Sequence, residues 1–282
     1  MPDLASMLAS TVIFLFTPDG QVPIGTAFIV GYPLPSKPGR SVPIVVTAKH
    51  VVGDLPRVVG RFTAKSGEQP AKVLYDLTEL RATGDLWEHP DAGVDLVALR
   101  SLHFDQTSYQ AFPLNLVAGR DTLTDEDIKV TDRVIFPSLL VNFMGTTQNF
   151  PITRDGTIAL MPRELVPIEY DVGQRRIKTR QEVLLLDATS VPGASGSPVF
   201  LWPGPRLKQD GFHVGGAQPW LIAIMHGFYP AQPQPLVGVQ VNRVVPAFAE
   251  NSGIAVIFPS WRLREILASE SVTRRIATLD KD

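Results

Sequence analysis

The sequence predicts an all-β fold assembled from two units, and three observations predict it. Proline and glycine are numerous, 25 and 22 of 282 residues, and they interrupt the chain often enough to keep its apolar runs short. Those runs are rich in Val and Ile, which suit the pleated, half-buried surface of a strand. Helical spacing of apolar residues is clear only near the C-terminus. Short strands between turn signals make a sandwich or a barrel.

Taken in order, an apolar stretch covers residues 4–16, with 11–16 as the first strand. Met1-Pro2-Asp3 ahead of it lacks the positive charge of a signal peptide, and the stretch is too short to span a bilayer, so a cytoplasmic protein with no membrane span is expected. Further strands are expected at 27–30, 43–47, 95–99, 183–186 and 199–202. The polar stretch 118–129, with Asp121, Asp125, Glu126 and Asp127, breaks the pattern and marks the boundary. Residues 1–120 are then the first unit, 121–258 the second, and 259–282 a C-terminal helix and tail. Pro/Gly-rich segments at 202–218 and 229–235 read as long surface loops. In the final segment Trp261, Leu263, Ile266 and Leu267 share a helical face, with Ser260 placed as its N-cap. No repeat of 20 to 50 residues is evident.

Composition removes several functional classes. With 26 Lys+Arg against 28 Asp+Glu and no basic run, the chain has no sequence-wide attraction for nucleic acid or an anionic membrane. The absence of cysteine excludes a disulfide framework, a thiolate metal site and a cysteine nucleophile. With 44% hydrophobic and 19% charged residues, the composition is that of a folded chain.

The segment Pro192-Gly193-Ala194-Ser195-Gly196-Ser197-Pro198 lies between two expected strands. Glycine tolerates backbone dihedrals closed to other residues, so Gly193 and Gly196 allow a tight turn that presents a serine hydroxyl and aims successive N–H groups into one pocket. Such a turn suits a nucleophile beside an oxyanion hole made by the Gly193 and Ser195 amides. A serine hydroxyl needs a base, and the base needs an orienting group. The histidines are His50, His89, His103, His213 and His226. His50 follows an apolar strand in Thr47-Ala48-Lys49-His50, where the chain leaves the sheet. His89 and His103 sit in polar stretches and read as solvated. Asp95 heads the apolar run Asp95-Leu96-Val97-Ala98-Leu99, where an unpaired carboxylate is costly, so a partner is expected. Asp91 is its competitor.

Chain order separates the possibilities. His50, Asp95, Ser195 is the order of chymotrypsin-like enzymes, whereas α/β-hydrolases run Ser, Asp, His. The alternative of Ser195 with Asp210 and His213 or His226 needs a parallel sheet and helices that the pattern lacks.

At these residues the chain resembles a known family. Thr47-Ala48-Lys49-His50, Asp95-Leu96-Val97-Ala98-Leu99 and the Pro192–Pro198 segment resemble the three signature blocks of cysteine-free bacterial trypsin-like serine proteases, closest to the protease domain of the HtrA (Deg) group. Gly25-Thr26-Ala27-Phe28-Ile29-Val30 resembles the strand before the histidine block. Asp187-Ala188-Thr189-Ser190 resembles the lead-in to the nucleophile, and Gly253-Ile254-Ala255-Val256-Ile257-Phe258-Pro259-Ser260 the last strand entering the closing helix. The likeness runs from Thr11 to Leu267 and is weak between Leu102 and Glu182. It implies two antiparallel six-stranded β-barrels with a C-terminal helix, the first carrying His50 and Asp95 and the second Ser195.

The departures from the family carry expectations too. Ala194 stands where activated digestive proteases carry an aspartate, so no activating cleavage is implied. Ser197 replaces the second glycine of the usual Gly-Gly-Pro ending, as in glutamyl endopeptidases. After the helix only Ala268 to Asp282 remain, so no PDZ domain is expected. The implied specificity pocket is walled by Thr189, Ser190, Met225, His226 and Gly227. With no carboxylate near Thr189 and Ser190, a small aliphatic or acidic P1 side chain is expected rather than a basic one. The implied activity is endopeptidase chemistry on a protein or peptide substrate, with no metal or organic cofactor and with an unnamed dedicated partner as an option. A protease-fold binding module without turnover is the competing class.

Overall fold

The computed structural model describes residues 4–101, 107–189, 191–214, 218–230 and 251–281. After a short helix α1 (Leu4–Ala9), the first unit is a nine-stranded sheet. It comprises β1 (Val12–Phe16), β2 (Pro23–Pro33), β3 (Ser41–Thr47), β4 (Arg57–Ala64), β5 (Ala71–Asp76), β6 (Leu86–Glu88), β7 (Val97–Arg100) and the two-residue β8 (Thr107–Ser108) and β9 (Phe112–Pro113). Its main order is β5-β4-β1-β2-β3-β7-β6. Helices α2 (Lys49–Val52) and α3 (Leu77–Thr83) interrupt it. Asp76 caps α3 through the Glu79 amide, and Gly84 closes it in the left-handed conformation. The first unit is the curled half-barrel of the expected double-barrel fold: its sheet path runs from β5 to β6, and β2 pairs in parallel with β9.

Helix α4 (Arg120–Asp125) lies within the polar stretch between the units. The second unit is a closed six-stranded barrel of β10 (Arg133–Ser138), β11 (Ile152–Leu160), β14 (Leu184–Asp187), β15 (Pro198–Leu201), β18 (Leu221–Pro230) and β19 (Asn251–Pro259). Two hairpins stand off it, β12 (Val166–Val172) with β13 (Arg175–Gln181), and β16 (Arg206–Lys208) with β17 (Gly211–His213). The second hairpin falls inside 202–218, which the sequence reads as loop. Of 229–235, Tyr229 and Pro230 belong to β18 and the rest lies outside the described residues.

The chain ends in two helices rather than one, α5 (Ser260–Leu267) and α6 (Glu270–Lys281). Ser260 does not cap α5: it is the first helical residue, and its buried hydroxyl donates to the Ala118 carbonyl at 2.8 Å. Leu263, Ile266, Val272 and Ile276 join the largest apolar cluster, which also holds Phe14, Phe28 and Ile44 of the first sheet and Phe200, Val256 and Phe258 of the barrel. The opposite face of the first sheet packs a second cluster through Ile13, Leu15, Ile29 and Phe62. Burial on both faces is why β1 is apolar at every position rather than at alternate ones. Arg100 and Arg275 both grip buried Asp85, at 2.7 and 2.8 Å, tying α6 to the first sheet. Among the described residues no helix is long and apolar enough to cross a membrane.

Candidate active site

Strand register brings the base and its orienting group together. β3 and β7 are antiparallel with Thr47 opposite Val97, so the turn α2 just beyond β3 meets the segment just before β7. The Lys49 amide donates to the Asp95 carbonyl at 3.2 Å, the His50 amide to Asp95 Oδ1 at 2.8 Å, and His50 Nδ1 to Asp95 Oδ2 at 2.5 Å. Asp95 has no solvent exposure. A buried carboxylate survives only when its lone pairs are occupied.

A third donor reaches that carboxylate. His226, on β18, places its Nδ1 2.6 Å from Asp95 Oδ2. Because the oxygen accepts from both rings, both Nδ1 atoms carry hydrogen, and each Nε2 is left as an acceptor. The two rings meet edge to face with centroids 5.3 Å apart, and Tyr170 of β12 packs edge-on to His226 at 5.0 Å. Burial pushes the Asp95 carboxyl up, but the charge of His50 and the hydrogen bonds of both rings outweigh it and hold it well below the usual carboxylate range. For His50 burial favours the neutral ring, yet the charge and hydrogen bond of Asp95 prevail and its pKa lies above the ordinary value. The three ligand-type atoms of His50, Asp95 and His226 lie within 4.8 Å of one another. Their 2.5 and 2.6 Å contacts are proton-sharing distances; two ligands on one Zn²⁺ at tetrahedral angles stand about 3.3 Å apart.

Ser195 sits on the turn between β14 and β15. Gly193 and Gly196 have φ of +94° and +83°, in the region glycine alone occupies readily. A Cβ on Gly196 would also collide with the Thr26 carbonyl and the Thr47 hydroxyl. The turn is pinned from both units. The Thr26 amide donates to the Ser195 carbonyl at 2.9 Å, and the Thr26 hydroxyl to the Gly193 carbonyl at 2.6 Å. From the barrel, the Gly196 amide donates to the Met225 carbonyl at 2.8 Å. The same Thr26 hydroxyl accepts from the Leu139 amide at 3.0 Å. The Ser195 hydroxyl donates to the His226 carbonyl at 2.8 Å; no hydrogen bond joins it to His50.

The remaining sequence expectations fall as follows. Met225 is fully buried inside the barrel core, which corrects its placement as a pocket wall. His226 spends one ring nitrogen on Asp95, a role the sequence reading missed. Gly227 has open space where a Cβ would stand, Thr189 is exposed, and Ser190 lies outside the described residues. His89 is not solvated: it is 8% exposed and its Nε2 meets Glu265 at 2.7 Å. His103 lies outside the described residues. Asp91 accepts from the Gly93 amide and Gln181, not from His50. Asp210 and His213 pair with each other on the exposed β16–β17 hairpin. The sequence places Thr26 only on a strand, and its partners Gly193 and Leu139 are distant in the chain, so its role in holding the turn had no local signal.

No protein-family model and no curated protein matches the chain. Among solved structures it is similar to the MamO protease domain from Magnetospirillum magneticum in its apo form, at 14% identity and a TM-score of 0.51, over 94% of this chain and 100% of that one. It is also similar to the HtrA-type protease AlgW with a decapeptide, at 14% identity and a TM-score of 0.51, over 96% of this chain and 66% of that one. At such identities the likeness is one of fold: the closed barrel and curled sheet of this chain have the chymotrypsin-like architecture of HtrA-type protease domains.

Proposed function

We propose that the protein is a serine endopeptidase in which Ser195 is the nucleophile, His50 the general base and Asp95 its orienting carboxylate. The observation that carries this reading is the His50–Asp95 pair, 2.5 Å from Nδ1 to Oδ2 with Asp95 fully buried, in the same unit as the Thr26 that pins the Ser195 turn. In the reaction the Ser195 hydroxyl turns from the His226 carbonyl to His50 Nε2, gives up its proton there and bonds to the scissile carbonyl carbon. The Gly193 and Ser195 amides stabilise the negative oxygen that forms. His50 then protonates the departing amine as the peptide bond breaks. A water repeats the sequence on the acyl-enzyme, losing its proton to His50 and releasing the acid. The expected P1 side chain is small aliphatic or acidic.

One observation favours a second reading, a protease-fold binding module without turnover: the Ser195 hydroxyl is engaged by the His226 carbonyl rather than by His50. A fluorophosphonate probe separates the two. The wild type should label and Ser195→Ala should not; a folded wild type that fails to label where His50 is neutral supports the binding module. Turnover of Ser195→Ala or His50→Ala should fall by roughly 10⁶-fold, since the members act as a unit.

A further inference from the structure

Beside the catalytic cluster, a cavity of about 680 Å³ lies between the β12–β13 hairpin and β18. Ile168, Phe228 and Val256 give it an apolar wall, and His226, whose own carbonyl accepts from the Ser195 hydroxyl, lines it too. Its other wall is cationic. β13 alternates with a period of two, so Arg176, Lys178 and Arg180 project to one side and all three line the cavity. Glu169 is the single carboxylate in that lining; it pairs with Arg176 and, at 3.2 Å, with Lys178. Among the described residues the guanidinium of Arg180 meets a backbone carbonyl, that of Leu165 at 3.3 Å. Asp171, outside the lining, also meets Arg176 at 3.7 Å, so three cations stand against two carboxylates and a positive surplus of one remains over an apolar floor.

The strand beneath this cavity is open to an incoming chain. β15 pairs with β18 as far as Ile224, and Met225 exchanges backbone hydrogen bonds with Gly196 and Ser197, so beyond Met225 one edge of β18 has no ladder partner among the described residues. An extended peptide adds to such an edge through main-chain hydrogen bonds and sends alternate side chains into neighbouring pockets. Each residue advances about 3.3 Å, so the run from His226 to Tyr229 spans about 10 Å.

We propose that this cavity is a substrate subsite for an acidic side chain, Asp or Glu, two to four residues on the acyl side of the scissile bond, held by Lys178, Arg180 and Arg176. The proposal rests on the endopeptidase reading and names a substrate class for it: chains with an acidic residue upstream of the cleaved bond.

The test uses peptide pairs differing only in Glu, Ala or Lys at each of the three upstream positions. The wild type should prefer Glu over Lys by about 10-fold or more in kcat/KM at one position. Lys178→Glu/Arg180→Glu, on an exposed hairpin face, should lower that preference by about 3- to 10-fold while the rate of fluorophosphonate labelling stays unchanged. The preference should also shrink between 50 and 500 mM salt, as charge recognition requires. Equal rates for Glu, Ala and Lys at every position in a protein that labels would overturn the subsite, as would a preference untouched by the double substitution. If the wild type does not label, the endopeptidase reading fails on its own account, and fluorescence anisotropy of the same peptides decides the cavity: tighter binding of the Glu peptide that Lys178→Glu/Arg180→Glu abolishes supports it, and equal binding overturns it.

Discussion

Replacing Thr26 by valine changes almost nothing in shape and removes one hydroxyl from the join between the two units. That hydroxyl donates to the Gly193 carbonyl at 2.6 Å and accepts from the Leu139 amide at 3.0 Å. Thr26 has no solvent exposure, so water does not reach the stranded groups without a local opening. A buried polar group left unpaired costs about 1–3 kcal/mol. The Leu139 amide bears the full cost and the half-buried Gly193 carbonyl part of it, about 2–4 kcal/mol together. In a protein of this size that lowers Tm by about 5–15 °C. The chemical consequence is larger than the thermal one, because the carbonyl released belongs to the glycine whose amide is assigned to the oxyanion hole. Loss of one such donor costs about 10²–10³ in kcat, so a loosened one should slow fluorophosphonate labelling by about 10- to 100-fold with KM little changed. Thr26→Ser keeps the hydroxyl and should label within about threefold of wild type, giving up only a methyl group. Scanning calorimetry and labelling kinetics on the two variants decide the matter. Wild-type labelling by Thr26→Val, or a Thr26→Ser protein as slow as the valine variant, would refute the argument.

Four further outcomes are expected. Asp95→Asn should reduce turnover by about 10⁴-fold by presenting the wrong His50 tautomer, measured as kcat on the best library peptide; an active variant would transfer the orienting role to Asp91. Activity should rise with pH to a midpoint above the ordinary imidazole value of about 6.5, because Asp95 favours the charged ring, and His226→Phe should move that midpoint higher still by removing a donor that competes for the same oxygen. The raised His50 pKa also contributes stability that is fully present below about pH 6.5 and lost as pH rises through the folded-state pKa, so Tm in the wild type should lie higher relative to His50→Ala at pH 6 than at pH 9. Ser197 is fully buried and its hydroxyl has no hydrogen-bond partner, so Ser197→Ala should raise stability by about 1 kcal/mol in urea unfolding; a loss of that size would mean the hydroxyl is bonded.

The departures between sequence and structure have identifiable causes. The strands were legible because apolar runs bounded by Pro and Gly are local signals, and β1, β3, β14 and β15 lie within a residue or two of their expected bounds. The two-barrel architecture followed from the family likeness; that the first unit is a curled half-barrel ending in β5 and β6 depends on strand pairing, which no local pattern records. His89 looked solvated because its sequence neighbours are polar, but Glu265, 176 residues away, supplies its partner. Met225 was assigned to a pocket because the family likeness implied its segment; the side chain is fully buried in the barrel core, and a register shift follows between Met225 and Gly227.

Local chemistry settled the all-β character, the glycine-bounded serine turn and the chain order of His50, Asp95 and Ser195, since each of these is written in adjacent residues. Folding alone decided what surrounds Asp95. The second imidazole comes from His226, 131 residues along the chain, and the threonine that holds the serine turn stands 167 residues from Gly193. The charged hairpin beside the cavity likewise acquires its neighbours through barrel closure. Hydrogen bonds and charge act over a few ångströms of space whatever the separation in sequence, and strand register sets those distances.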